Sequence, residues 1–247
     1  MVTHPFNLQS KTVLVVGASS GIGAETARMA SHLGADVILA SRSIEKLEAV
    51  RDSLAHSARA SIAPVDYLDS QSVRAMLSPF EKIDHVMISA VADENKKRGP
   101  FVELDDSKMK SSFDKFWGQI NVLQAVAPKM PDGGSATLFA SVAGIKPSGK
   151  DSGLSVMNGV QSAVIQLGRS LALELSPIRV NVVAPGVVLT GVWQKEEKAQ
   201  LRAWMEADLP VKRAGLPEHI AHAVIGLMTN PYITGAVLPV DGGLHLS

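Results

Sequence analysis

The chain has 247 residues, of which 46% are apolar and 19% are charged, with 24 basic and 24 acidic side chains. Because there is no basic surplus, we expect neither nucleic acid nor a membrane surface as a partner. The lack of cysteine excludes disulfides and thiolate metal sites, and no apolar run reaches the roughly 18 residues of a membrane span. We therefore expect one cytoplasmic, globular domain over residues 1–247.

A glycine-rich loop follows the first predicted strand, the β-branched run Thr12–Val16. Its backbone can approach a pyrophosphate closely because glycine permits a tight turn, and the N–H groups that open the next helix attract negative charge. An ordinary strand–helix turn is the alternative, but the strand before and the helix after favour a dinucleotide site. The predicted phosphate-binding residues are Gly17, Ser19, Ser20, Gly21, Ile22 and Gly23.

The end of the second predicted strand, residues 36–40, indicates which dinucleotide binds. Domains that prefer NAD usually place an acidic residue there, which bonds the ribose 2′-hydroxyl. This chain instead has Ser41 and Arg42, and an arginine can pair with a 2′-phosphate through two charge-assisted hydrogen bonds. A surface arginine that merely opens a helix is the alternative. We predict NADP(H) as the cofactor, in preference to NAD(H).

Strand-like and helical patterns alternate along the rest of the chain, which is typical of parallel βαβ units. The clearest helix covers residues 155–175, where apolar residues recur every three or four positions, and a second covers residues 217–228. The further predicted strands cover residues 60–65, 85–89, 136–140, 178–184 and 236–240. We predict a single doubly wound α/β domain of the Rossmann-like type, with a seven-stranded parallel sheet flanked by helices.

The segment 187–216 carries Trp193, Trp204 and Met205 among many charged residues. We interpret it as a mobile helical flap that covers a substrate site, since its large apolar side chains suit a lid. A well-packed pair of surface helices fits the same pattern, and the sequence does not decide between the two.

The order and spacing of these motifs resemble the short-chain dehydrogenase/reductase family over essentially the whole chain. The resemblance begins with the Gly-x3-Gly-x-Gly spacing of the loop and continues to the segment 179–186 and the last strand. In that family, the residue at Asp66 bonds the adenine amino group, and the residue at Thr190 contacts the nicotinamide carboxamide. The further cofactor-binding residues that the resemblance implies are Asp66, Tyr67, Ser89, Ala90, Val91, Pro185, Gly186, Val188 and Thr190.

The catalytic residues of that family are only partly present. The family takes a proton from a tyrosine, assisted by a lysine four residues later and by an asparagine on the preceding helix. Ser141 matches the family's catalytic serine, but the tyrosine, lysine and asparagine positions fall at Met157, Gln161 and Lys115. A thioether has no proton to give and an amide carries no charge, so the ordinary mechanism cannot operate. The chain resembles a divergent branch of the family that lacks the pair.

Two interpretations of these losses stay open. In the first, the chain is an oxidoreductase for a small carbonyl or alcohol substrate, in which Lys115 supplies the proton and Ser141 binds the substrate oxygen. Lys150 and Asp151 are further candidates, and a solvated charge is the alternative for Lys115. In the second, the chain binds NADP(H) without turnover, as a redox sensor or a partner-binding module. The resemblance also implies a homodimer or homotetramer, and the scattered histidines predict no metal site.

Overall fold

Seven parallel strands form a single sheet in the order β3-β2-β1-β4-β5-β6-β7. The computed structural model describes residues 6–91, 97–147, 149, 152–191 and 193–247. The strands are β1 (Thr12–Val16), β2 (Asp36–Ser41), β3 (Ala60–Pro64), β4 (His85–Ile88), β5 (Ser135–Phe139), β6 (Arg179–Pro185) and β7 (Val237–Val240). The predicted sheet is confirmed, with each end within one residue of its expected place.

Helices cover both faces of the sheet, as expected for parallel strands that are buried on two sides. The α-helices are α1 (Gly21–His32), α2 (Ile44–Asp52), α3 (Ser70–Leu77), α4 (Asp106–Ser111), α5 (Asp114–Val126), α6 (Ser155–Glu174), α7 (Lys195–Asp208) and α8 (Pro217–Thr229). In the described part of the chain, no helix is both long enough and apolar enough to cross a bilayer.

The core has two layers because successive side chains of a strand point to opposite faces of the sheet. On β1, Leu14 and Val16 pack into the layer that contains apolar residues of α3, α5 and α6. Val13 and Val15 pack into the other layer, against residues of α1, α2 and α8. Packing in these two layers fixes the positions of α1 and α5 relative to the carboxyl ends of the central strands.

At the amino ends of the strands, buried polar and charged side chains bond to one another and to backbone groups. Asp84 accepts hydrogen bonds from Lys11 and from the Thr12 N–H at 3.3 and 3.1 Å. Next to it, His85 Nδ1 lies 2.8 Å from Ser135 Oγ. The guanidinium of Arg179 donates to three carbonyls, those of Leu227 at 2.7 Å, Met228 at 2.8 Å and Ile233 at 3.0 Å. The amino ends of the strands are therefore closely packed and hydrogen-bonded.

The described residues 187–191 and 193–216 contain one helix, α7, in place of the pair that the pattern allowed. Met205 is completely buried and packs with Leu209 and Ala214 in a small cluster of its own. Before the helix, the indole N–H of Trp193 donates to the Val188 carbonyl at 2.9 Å. The segment therefore packs on the domain through α7 and reaches the carboxyl ends of the strands through its first residues.

Candidate cofactor and active site

The glycine-rich loop lies where the sheet order reverses, between β1 and β4, which is where doubly wound domains bind ligands. Gly17 has φ of 97°, and a Cβ there would lie 2.6 Å from the Ala90 backbone nitrogen. A Cβ at Gly23 would lie 2.2 Å from the Gly17 carbonyl oxygen. Both positions therefore exclude a side chain, and the turn brings the start of α1 against the end of β1.

A cavity of about 490 Å³ opens along this loop and extends to the ends of β4, β5 and β6. Ser20 precedes α1, and its side chain makes no capping hydrogen bond, so the first N–H groups of the helix remain available to a negatively charged ligand. The predicted cofactor residues that line the cavity are Gly17, Ser19, Ser20, Gly21, Ile22, Gly23, Ser41, Arg42, Tyr67, Ser89, Ala90, Val91, Pro185, Gly186 and Thr190.

The charge of the cavity is entirely positive among the described residues that line it. Among the described residues of its wall, Arg42, Lys46 and Lys115 are cationic and none is an aspartate or a glutamate. Lys46 was missed by the sequence analysis, although it lies four residues after Arg42 and its helix, α2, begins at Ile44. Arg42 lies before the helix and its N-cap Ser43, so a helical spacing does not relate the two side chains, and no pattern in the sequence points to Lys46.

Two residues that the family resemblance assigned to the cofactor do not line the cavity. Asp66 is exposed, and its carboxylate accepts the Leu68 N–H at 3.0 Å within the turn after β3. Val188 is buried, and its carbonyl accepts the Thr190 N–H at 2.9 Å as well as the Trp193 indole. Both are occupied in local turns beside the cavity, and their assignment to the cofactor stays a prediction.

The two predicted catalytic residues, Lys115 and Ser141, both line this cavity. Lys115 is only 5% exposed, so the alternative of a solvated charge is wrong, and its ammonium donates to the Ala140 carbonyl at 3.2 Å. Ser141 follows β5 directly, and its hydroxyl lies 3.5 Å from the Pro185 carbonyl. Its oxygen also accepts the Ala143 N–H at 3.3 Å. The site thus combines an ammonium and a hydroxyl beside the phosphate loop.

The residues of α6 at the family's tyrosine and lysine positions lie outside the cavity lining. Met157 is 4% exposed and Gln161 is 3% exposed, so both belong to the packed interior. Of the two tyrosines in the chain, Tyr232 is 97% exposed. Tyr67 lines the cavity against α5, where a Cβ on Gly118 would lie 2.1 Å from its ring. The described part of α6 therefore presents no phenol to the site.

Lys150 and Asp151, the further catalytic candidates, lie outside the described residues. Within those residues, no group of three histidine or acidic side chains could hold a metal ion.

Known proteins resemble this chain over nearly its full length. The profile described as enoyl-(acyl carrier protein) reductase matches residues 17–245. A human 3-oxoacyl-[acyl-carrier-protein] reductase is 31% identical over 96% of this chain and 98% of its own length. An L-rhamnose 1-dehydrogenase (NAD(P)(+)) of Sphingomonas is 31% identical over 97% and 98%. Among solved structures, a small-chain dehydrogenase in complex with NADPH has a TM-score of 0.79 and 27% identity over 96% of this chain and 99% of that one.

Proposed function

Because the chain belongs to the short-chain dehydrogenase/reductase family, we propose that it is an NADP(H)-dependent oxidoreductase with a non-standard active site. Its reaction is hydride transfer between the nicotinamide and a small carbonyl or alcohol substrate. One observation carries the proposal: a single cavity is lined by the phosphate loop, by Arg42 and by the pair Lys115 and Ser141. The fold of this family binds a nicotinamide cofactor, so the finer points are the choice of NADP(H) and the source of the proton.

The preference for NADP(H) rests on charge. An NADP molecule carries a 2′-phosphate in addition to its pyrophosphate, and the cavity wall has three cations and no carboxylate among the described residues. Arg42 follows β2 and Lys46 lies on α2. In Rossmann-like domains, residues at the end of the second strand contact the 2′ position of the cofactor's adenine ribose. We assign the 2′-phosphate to this pair and the pyrophosphate to the start of α1.

The proton transfer rests on Lys115 and Ser141. When bound, the nicotinamide supplies or accepts the hydride. Ser141 donates its hydroxyl hydrogen to the substrate oxygen and fixes it near the ammonium of Lys115. In the direction of reduction, Lys115 gives a proton to that oxygen as negative charge develops there; in the direction of oxidation, it takes the proton back. Lys115 is 5% exposed, so little of its side chain is in contact with bulk water.

Two relatives support a proposal for the substrate class. The human relative is a 3-oxoacyl-[acyl-carrier-protein] reductase and the Sphingomonas relative a sugar dehydrogenase. We propose a small carbonyl compound of the 3-oxoacyl thioester type as the first class to test, with sugars as the second.

A second candidate is a protein that binds NADP(H) without turnover. The observation that favours it is the burial of Met157 and Gln161 in α6, away from the cavity lining. Such a protein would act as a redox sensor or a partner-binding module, and it shares the cofactor site with the first candidate.

The first experiment is a fluorescence titration of the purified protein with NADPH and, in parallel, NADH. The proposal expects NADPH to bind at least about ten-fold more tightly, a difference of about 1.4 kcal/mol. The loss of NADPH absorbance is then followed with acetoacetyl-CoA and with a panel of sugars. Binding without turnover on any of these compounds favours the second candidate, whereas binding of neither cofactor overturns both.

A further inference from the structure

Gln119 joins α5 to β5 at the catalytic end of the sheet. It is completely buried, and its side-chain oxygen accepts the Phe139 N–H at 2.7 Å. Its side-chain nitrogen donates to the Phe139 carbonyl at 3.1 Å and to the Lys115 carbonyl at 3.3 Å. One carboxamide therefore bonds both backbone groups of Phe139. We call this contact the Gln119 amide clamp.

The Gln119 amide clamp takes the place of hydrogen bonds that a neighbouring strand would make to Phe139. Ser135 on β5 donates to Asp84 beside β4, whereas Ala140 donates to Val183 on β6. Alternate residues thus face alternate neighbours, and the backbone groups of Phe139 face β4. The pairing of β4 with β5 ends at Ile88 and Leu138, so the next groups of β5 that face β4, the N–H and carbonyl of Phe139, bond to Gln119. The carboxamide of Gln119 fills the gap where the two strands separate.

The clamp also fixes the proposed proton donor. Lys115 lies one turn before Gln119 on the same helix face, and its ammonium bonds Ala140, the residue after Phe139. Two side chains of α5 are therefore attached to consecutive residues of the chain that leads directly to Ser141. A shift of either contact changes the separation of the ammonium from the serine hydroxyl.

We propose that Gln119 is a positioning residue, which holds the Lys115 ammonium in register with the Ser141 hydroxyl for proton transfer. This inference rests on the proposed function of Lys115. A glutamine is suited to the task because it offers one acceptor and two donors on a single planar group. A methionine of similar length fills the same space and offers no N–H, whereas a carboxylate accepts from Phe139 but cannot donate to it.

The test compares Gln119→Met with Val122→Ala. Val122 is also completely buried, one turn further along α5, and it packs in the core away from the cavity lining. For Gln119→Met, we expect kcat with NADPH and acetoacetyl-CoA to fall by roughly ten- to a hundred-fold, with KM and the NADPH dissociation constant nearly unchanged. Val122→Ala should lower the melting temperature and leave kcat within about two-fold.

A rescue variant separates positioning from packing. In Gln119→Glu, the protonated carboxyl group has one donor and one acceptor, which can restore both bonds to Phe139 but not the bond to the Lys115 carbonyl, and burial favours this neutral form. Its kcat relative to the native protein should therefore rise as the pH is lowered, whereas the ratio for Gln119→Met stays constant. A purely structural role predicts no such recovery and overturns the proposal.

A measurement without turnover keeps the proposal testable if no substrate is reduced. The protein is labelled with ¹³C-lysine, and the Cε signal of Lys115 is identified by its loss in Lys115→Arg. We expect one sharp signal in the native protein and in Val122→Ala, and a broadened or doubled signal in Gln119→Met. An unchanged signal in Gln119→Met overturns the positioning role. A native protein that reduces no substrate overturns only the catalytic part of the proposed function.

Discussion

Both ends of the sheet bury charged side chains, but they use them differently. At the amino ends, Arg179 is surrounded by the carbonyl groups that it bonds, and Asp84 bonds Lys11 and Thr12. At the carboxyl ends, Lys115 has a carbonyl partner but also lines a cavity beside Ser141. A buried charged side chain therefore indicates a catalytic role only where it borders a cavity that can hold a ligand and lies beside a second reactive group.

The pKa values at the amino ends agree with this difference. Burial lowers the pKa of His85 to about 4, outweighing the attraction of Asp84. Burial alone would raise the pKa of Asp84, but hydrogen bonds from Lys82 and Thr12 outweigh it and hold that pKa below its ordinary value. These shifts favour a charged Asp84 and a neutral His85. Fixed protonation states of this kind suit a structural role better than proton transfer.

The largest expected effect is at the amino end. Replacing Arg179 by methionine leaves three carbonyls, two of them in buried hydrogen bonds and one in a partly buried one, without their charged donor, at roughly 1.5 kcal/mol or more each. We expect a loss of about 5 kcal/mol of stability and a fall in melting temperature of about 10–20 °C, with the NADPH affinity of the folded protein unchanged. Thermal unfolding measures the fall in melting temperature. Arg74→Met, at an exposed position, is the matched control and should cost less than about 0.5 kcal/mol.

The corresponding change at the carboxyl end should affect rate rather than stability. In Lys115→Met, kcat should fall on the order of 10³-fold, since a positioned acid contributes about 10²–10⁴. The melting temperature should fall much less than in Arg179→Met, because the carbonyl contact that is lost is that with Ala140, against three carbonyl contacts for Arg179. Lys110→Met, at an exposed position, is the control. A Lys115→Met protein with full turnover would show that the ammonium is not the proton source.

Lowering the pH should reduce the free energy of unfolding because the buried His85 resists protonation. The folded pKa of about 4 lies below the ordinary 6.5, so the unfolded state takes up a proton that the folded state refuses between these values. Stability is therefore fully present above about pH 6.5 and is lost as the pH falls toward 4, by up to about 3 kcal/mol. Urea unfolding at several pH values should show a shallower loss in His85→Gln. Parallel losses in the two proteins would contradict this account.

The smallest effect concerns the choice of cofactor. Arg42→Ala should weaken NADPH binding about ten-fold, since a charge-assisted pair with the phosphate is lost, and should leave NADH binding unchanged. Lys46→Ala should do the same to a lesser degree, since a lysine binds phosphate as a point charge rather than as a bidentate fork. Fluorescence titration measures both. Equal weakening of the two cofactors would mean that neither side chain contacts a 2′-phosphate.

Much of this molecule could be predicted because the signals are local. The phosphate loop between β1 and α1 requires glycines at fixed spacing, and the apolar runs of the strands are continuous because both faces are buried. The burial of Lys115 could not be predicted, since Asp114-Lys115-Phe116-Trp117 has no local sign of it. The role of Gln119 depends on where β4 leaves β5, which is a tertiary event. The amino-end contacts of Arg179 join residues about fifty positions apart, beyond any sequence period.

The most direct test of the central claim uses NADPH deuterated at C4 of the nicotinamide, incubated with the native protein and acetoacetyl-CoA. Mass spectrometry of the product measures deuterium at the former carbonyl carbon. The account predicts deuterium in the alcohol product, with formation slowed on the order of 10³-fold in Lys115→Met. A native protein that binds NADPH tightly but delivers no deuterium to acetoacetyl-CoA or to the sugars of the panel would contradict the account and leave a cofactor-binding protein without turnover.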